Sequence, residues 1–214
     1  MNYYNFRTEN VSIKEWINPI YFDEESQAQI QEQFESDSQI SLGEFLKAEK
    51  FTELVDAVNK STGWLVAGPP NQQFYNYQTD PQEPIIRDFL KLLKSEELSN
   101  LLTKLTCLVP TQQHCELQCF KNNNYTLMHD GDSRRTYAAL DCIFYLITNP
   151  IWDDQWGGFQ SYHDNSGELL TVEPAKNSLA LVFCNEETSR FTKFVNHTAP
   201  VPLYNVYLLL KEDQ

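Results

Sequence analysis

The sequence predicts an α+β fold: a double-stranded β-helix (jelly roll) with helices packed on its outside. Three observations predict it. The first half carries apolar stripes at helical spacing, such as Phe51, Leu54, Val55 and Val58. From Cys107 onward the chain turns to short apolar runs with strand character. Turn-forming clusters separate those runs: Asn122–Asn124, Asn149-Pro150, Asp164–Gly167 and Pro200–Pro202. Helices first and many short strands afterwards give that architecture. No internal repeat or low-complexity linker divides the chain, so residues 1–214 read as one domain.

Residues 1–22 read as an extended lead-in. Asp23 is placed to cap a helix running to about Phe34, with Glu24 and Glu25 in the first turn where the helix dipole favours acids. Ile40 and Leu42 alternate with polar neighbours, which predicts a strand over Ser38–Leu46. The stripe at Phe51 then predicts a helix near Glu49–Lys60. Gly68-Pro69-Pro70-Asn71 breaks the pattern, and the stretch through Phe74, Tyr75 and Tyr77 to Pro81 reads as a loop. Pro84–Leu93 and a segment capped by Ser95, with Leu98, Leu101, Leu102 and Leu105 on one face, read as helices against a sheet. The strand runs beyond them are Leu140–Ile147, Gly158–Tyr162, Leu169–Val172, Ser178–Phe183, Phe191–Val195 and Tyr204–Leu210.

Composition excludes several classes. No apolar run approaches the roughly 18–20 residues of a membrane helix, and the first residues show neither a basic nor an apolar signal region. An intracellular protein of nucleus or cytoplasm is expected. The five cysteines, Cys107, Cys115, Cys119, Cys142 and Cys184, include no C-x-x-C pair, which speaks for buried thiols over disulfides or zinc. A net charge of −14 argues against direct nucleic-acid binding. It suits steering of basic protein partners, but solubility alone is the better account of it.

The chemistry-bearing residues are His129-Asp130-Gly131-Asp132 and, far downstream, Asn196-His197. Two imidazoles and a carboxylate on neighbouring strands are the donor set of a non-haem iron site. The spacing breaks it. Strand residues i and i+2 share a face, so His129 is matched by Gly131, which has no ligand atom. Asp130 points the other way, and Asp132 joins the histidine's face only if a bulge adds one residue. His114 and His163 have no ligand partner at useful spacing and read as surface or strand-end residues. Asp153 and Asp154 read as exposed loop charges as readily as acid–base groups. No nucleophile signature, phosphate loop or zinc spacing is present.

Several ordered motifs resemble a known family. They are Tyr125–Asp130, Ala139-Leu140-Asp141, Trp156–Tyr162, Leu169–Pro174, Asn177–Val182 and Val195–His197. Trp16–Pro19, Gln29–Glu32, Phe45–Lys47 and Glu49–Phe51 extend the likeness towards the start. Together they resemble the 2-oxoglutarate- and Fe(II)-dependent prolyl hydroxylases that modify a ribosomal protein, with yeast and human members. That resemblance implies two tandem jelly rolls, of which the first holds the iron and 2-oxoglutarate and the second does not. This chain resembles the second only, so it is expected to be half of a longer protein, beginning at an added Met1.

The resemblance also supplies a test. In the family's catalytic domain an Arg on the strand after the second histidine anchors 2-oxoglutarate, a carboxylate-recognition task suited to its fork of donors. Here that strand, Leu203–Leu210, has no basic residue before Lys211. Arg190 precedes His197, and Arg134 and Arg135 follow the His129 motif in a turn. The in-register carboxylate and the anchor are both missing, so no catalytic, metal or cofactor residue is expected here, and His129, Asp130 and His197 read as a remnant. The resemblance implies that the full-length enzyme uses Fe(II), 2-oxoglutarate, O2 and ascorbate for prolyl 3- or 4-hydroxylation of a ribosomal protein. It links that enzyme to oxygen sensing and to control of translation or gene expression. The expected partners of this domain are the catalytic N-terminal domain and other proteins, basic ones included. Phe74, Tyr75, Tyr77, Trp152 and Trp156, each in a loop, are the candidate contact residues, and the blander reading, preferred for Phe74, Tyr75 and Tyr77, is a loop packed over the barrel. The alternative is a self-sufficient dioxygenase using His129, His197 and Asp130 or Asp132.

Overall fold

Capping residues and apolar stripes place the helices. A computed structural model describes residues 12–128, 137–148 and 152–212. Its helices are α1 (Ile13–Trp16), α2 (Glu24–Asp37), α3 (Ala48–Lys60), α4 (Pro84–Leu93) and α5 (Glu96–Thr106). The Asp23 carboxylate accepts from Ser26 N at 2.9 Å, and Ser95 Oγ accepts from Leu98 N at 3.2 Å, as the sequence indicates. Pro84 starts α4, where its missing N–H has no helical partner to lose. The lead-in is not simply extended. Besides α1 it contains a 3₁₀ turn, Pro19–Phe22, in which Ile20 N donates to the Asn18 side chain.

Eleven strands follow or interleave: β1 (Gln39–Leu42), β2 (Leu65–Ala67), β3 (Gln73–Gln78), β4 (Pro110–Phe120), β5 (Tyr125–Thr126), β6 (Ala139–Tyr145), β7 (Gln160–Asp164), β8 (Gly167–Val172), β9 (Ser178–Cys184), β10 (Ser189–Thr192) and β11 (Leu203–Glu212). The major sheet runs β1-β9-β6-β11-β4-β3-β2, with β5 also paired to β3, and the minor sheet runs β10-β7-β8. Every strand pair is antiparallel. The helices cover the outer face of the major sheet, and the minor sheet packs on its inner face. The result is the jelly roll with external helices that the element order predicts.

Two predicted elements change. The strand expected over Ser38–Leu46 ends at Leu42, where Gly43 and Glu44 turn the chain and Glu44 takes φ 47°. The stretch around Phe74–Tyr77, expected as a loop, is strand β3, pairing with β2 on one side and with β4 and β5 on the other. Its aromatics occupy both faces, which hides the alternation that would have marked a strand.

Both faces of the major sheet are apolar. Leu98, Leu101, Leu102 and Leu105 of α5 and Ile86, Phe89 and Leu93 of α4 pack on outward residues such as Cys142, Phe144 and Leu208. Each such fully buried side chain contributes about 1.5–3 kcal/mol relative to exposure. Asn177 ties the N-terminal layer to β9, since its side chain accepts from Leu46 N at 3.1 Å and donates to Leu46 O at 2.8 Å. All five cysteines are free thiols, and four are buried. Burial pushes the Cys115 and Cys119 thiols up to about 11, so they are packing residues and not nucleophiles.

Candidate functional site

Strand alternation sends a set of polar side chains into the space between the two sheets. On β6, Asp141 shares the inward face with Ala139, Ile143 and Tyr145. On β11, Asn205 and Tyr207 point the same way, registered opposite Tyr145 and Ile143. On the minor sheet, Tyr162 is opposite Arg190 and Gln160 is opposite Thr192. β4 contributes Glu116 and Gln118, and β3 contributes Tyr75.

At the centre Arg190 meets Asp141. Arg190 Nε lies 3.7 Å from Asp141 Oδ2, and the two side chains are 18% and 0% exposed. Tyr207 donates to Asp141 Oδ1 at 3.0 Å, and Tyr162 donates to Oδ2 at 3.3 Å. The guanidinium lies 3.8 Å from the centre of the Tyr207 ring, a cation–π contact, and also donates to Gln160 Oε1 at 3.4 Å. Thr192 donates to that same oxygen at 3.0 Å. The chain's own cation thus fills a cage of carboxylate and tyrosines. Burial, and then the Asp141 charge, push the Tyr162 hydroxyl far above its ordinary value, so it remains a proton donor.

A second acid lies beside it. Glu116 is 5% exposed and accepts from Tyr75 Oη at 2.8 Å and Gln118 Nε2 at 2.6 Å, while His114 Nε2 stands 3.2 Å from its other oxygen. Burial alone would push the Glu116 carboxyl up, but the bonds from His114, Gln118 and Tyr75 outweigh it and hold the carboxyl below its usual range. His114 is a surface residue, its side chain 45% exposed, as the sequence indicates. It sits inside β4 and serves this acid.

A depressed folded-state value contributes stability above the unfolded Glu value of about 4.3, lost as pH falls through the lower folded value. Glu116→Gln should therefore flatten the acid limb of stability, measured by urea unfolding between about pH 7 and about pH 3. An unchanged limb would show that the carboxylate carries no such linkage.

Some groups here have no partner. Tyr145 Oη, Gln160 Nε2 and both amide atoms of Asn205 are buried and make no hydrogen bond. Groups of this kind are where internal water sits.

The predicted site residues fare unevenly. His129, Asp130, Gly131, Asp132, Arg134 and Arg135 lie outside the described residues. His197 stands exposed beyond β10, while Val195 just before it is fully buried. Arg190, which the sequence left on an unassigned strand or turn, is on β10 and points inward. Asp153 is exposed and accepts from Gln155 N at 2.8 Å, capping a 3₁₀ turn over Asp154–Trp156.

Of the candidate contact residues, Tyr75 and Trp152 are each 8% exposed, and so present little ring to a partner. Tyr75 turns inward to reach Glu116, and Trp152 is fixed by a 2.7 Å bond to Gly157 O and an edge contact with Trp156. Tyr77 and Trp156 are half-buried, and Phe74 alone of the five is exposed. The sequence carries a signal for one half of the Asp141–Arg190 pair: Asp141 is a lone charge in the apolar strand Ala139–Tyr145 and needs a partner there.

For iron, the described residues include no group of three His, Cys, Asp or Glu side chains able to hold a metal. For 2-oxoglutarate, the inward positions of β11 carry Leu203, Asn205, Tyr207, Leu209 and, near the end of the strand, Lys211, whose ammonium lies over the Tyr137 ring. The inward guanidinium of Arg190 is already engaged by Asp141. The predicted ligands His129, Asp130 and Asp132 lie outside the described residues.

Sequence comparison decides the family. Residues 8–213 match the family described as "oxoglutarate and iron-dependent oxygenase degradation C-term". The chain belongs to this family. It is similar to prolyl 3-hydroxylase OGFOD1 of Xenopus laevis, 35% identical with 86% of this chain and 43% of that protein covered. It is similar also to the Mus musculus protein of the same name, at 32% identity with 86% and 47% covered. The chain thus spans less than half the length of these curated relatives.

In fold, this family member is similar to a prolyl hydroxylase from Trichoplax adhaerens solved with a hypoxia inducible factor peptide fragment, with TM-score 0.66, 17% identity and 88% and 90% covered. A prolyl-4-hydroxylase of Pseudomonas putida gives TM-score 0.61 at 16% identity, with 87% and 99% covered. Likeness at that identity shows the jelly roll of 2-oxoglutarate oxygenases.

Proposed function

We propose that this chain is the non-catalytic C-terminal domain of a prolyl hydroxylase and serves as structural support and interaction module. The observation that carries the reading is the Asp141–Arg190–Tyr207 cage. The inward guanidinium of Arg190 is engaged by a carboxylate, on a strand other than the one that would anchor a co-substrate. An interior organised this way ties the two sheets together and engages the Arg190 charge within the fold. Hydroxylation of a ribosomal protein with Fe(II), 2-oxoglutarate, O2 and ascorbate then belongs to the remainder of the full-length enzyme, in nucleus or cytoplasm. The relatives' names support that assignment.

The test is ligand-induced stabilisation. A ligand at about one hundred times its dissociation constant raises stability by roughly 2.7 kcal/mol. Mn(II), in place of Fe(II), with 2-oxoglutarate should leave the melting temperature of this chain unchanged. A clear rise that His197→Ala abolishes would establish the alternative, a self-sufficient dioxygenase with His129, His197 and Asp130 or Asp132 as its site.

A further inference from the structure

We infer that the free edge of β1 is a docking site for an extended, basic protein segment, which joins the major sheet there as an added strand. The inference rests on the interaction-module reading above and gives that module a place, a binding mode and a partner chemistry.

β1 ends the major sheet, with β9 on one side of it. The ladder fixes which of its main-chain groups are free. Phe183 N donates to Ser38 O at 2.8 Å, and the register pairs Ile40 with Leu181 and Leu42 with Leu179. Bonded residues alternate in an antiparallel pair, so Ser38, Ile40 and Leu42 bond towards β9. Gln39 and Ser41 then turn their N–H and C=O groups outward, and no described group bonds to them. They open on a hollow of about 580 Å³ between β1, α2 and the 3₁₀ turn Pro19–Phe22. Ser26, Gln29 and Gln33 of α2 make its wall polar, and Ile20, 55% exposed, and Ile30 are its apolar points. Tyr21 donates to Gly43 O and ties the turn to the end of β1.

Proteins guard sheet edges with prolines, lysines, bulges or cover. β2, at the opposite end of the sheet, runs straight into Gly68-Pro69-Pro70. β1 carries no proline, charge or bulge, and its guard is brevity, four residues. An open edge beside a groove is the geometry of strand addition. Main-chain bonds supply the affinity there, and sites for alternate side chains supply the selectivity.

Local and long-range charge select the same partner. Every residue lining the hollow lies between Lys14 and Lys47, a stretch with eight acids and no Lys, Arg or His. Two of those acids bond to its wall. Asp23 accepts from Ser26 N and Oγ, both at 2.9 Å, and Glu25 accepts from Gln29 Nε2 at 3.5 Å. Asp37 stands four residues after Gln33 on the same row of α2. At the Gln39 end, β9 leads into exposed Glu186 and Glu187. The cations near α2 and β1 face other hollows: Lys104 one between α2 and α5, and Lys176, with Glu44, one beside α3. The net charge of −14 has the same sign as the rim and draws a basic segment towards it. A two-fold pairing of β1 edges would instead set the α2 acids of each copy against those of the other.

Short random displayed peptides, selected against the intact chain, are the probe. Enriched peptides should be basic. N-methylation of every second amide in a selected peptide should abolish binding in one register and spare it in the other, as pairing along one edge requires. Affinity should fall about tenfold or more in Ser41→Pro, which removes an outward N–H and no native bond, and in Glu25→Lys/Asp37→Lys. Glu168→Lys/Glu173→Lys makes the same change of net charge over the minor sheet and should cost about threefold or less. Should Ser41→Pro fail to fold, the methylated peptides and the two charge pairs still decide. Enrichment of acidic peptides, equal losses in the two charge pairs, indifference to N-methylation, or no enrichment would overturn the proposal. So would self-association of the chain that Ser41→Pro abolishes. The non-catalytic reading fails separately, through the Mn(II) and 2-oxoglutarate shift.

Discussion

Asp141→Leu should lower stability by about 3–5 kcal/mol, because it strands a largely buried guanidinium. Arg190 is 18% exposed, so water offsets only part of that loss. The substitution also removes the acceptor of Tyr207 and Tyr162, and the Tyr162 hydroxyl is fully buried. A buried donor left unpaired costs about 1–3 kcal/mol by itself. Urea unfolding of the purified chain reads the sum. The double variant Asp141→Leu/Arg190→Met should recover much of the loss, since an apolar pair of similar volume often matches a buried ion pair. The coupling across the cycle should then be large, as expected for side chains in one network. If Asp141→Leu costs less than about 1 kcal/mol, the range of an ordinary surface change, the cage is not what fastens the sheets.

That network marks the boundary of what the sequence made legible. Caps and stripes are local signals, so Asp23, Ser95 and the leucines of α5 declared their helices directly. The jelly-roll class was legible because short apolar runs and turn clusters alternate from β4 to β11. β3 was not legible, because Phe74, Tyr75 and Tyr77 put aromatics on both faces among amides. The partner of Asp141 could not be read at all. It lies on the other sheet, and only the packing of β10 over β6 and β11 brings Arg190 to it. The Glu116 cluster has the same origin, with Tyr75 arriving from a strand that the sequence presented as a loop.

Charge shows the same division between what composition tells and what geometry tells. A net −14 suggested basic partners for the whole surface. The fold separates those acids from one corner, collecting Asp23, Glu24, Glu25, Glu32, Glu35 and Asp37 at and along α2 while β2, β3 and β5 have none. Of the aromatic candidates for docking, Phe74 remains on the surface and Phe194, unremarked in the sequence, joins it.

Gly157→Ala should cost about 3–5 kcal/mol. Gly157 holds φ 71° and ψ −148°, a conformation essentially reserved to glycine. A methyl group there would collide with the carbonyl oxygen of Phe194. That backbone has little freedom to retreat. Lys193 O accepts from Gly158 N at 2.9 Å, Asn196 N donates to Trp156 O at 2.8 Å, and Val195 N donates to Asn124 O at 2.9 Å. The 3₁₀ turn at Asp154–Trp156 and the turn after β4 therefore clamp residues 193–196 between them, and Phe194 takes its place over Tyr125 from that clamp. Gly43→Ala is the matched control, because a methyl there meets nothing within 4 Å and its φ is not positive. It should be neutral or slightly stabilising. Thermal and urea unfolding of the two variants should differ by several kcal/mol, on the order expected of backbone strain added to overpacking. Equal stability of the two would mean that the 193–196 segment yields freely, and that Phe194 is not held over Tyr125 by the glycine turn.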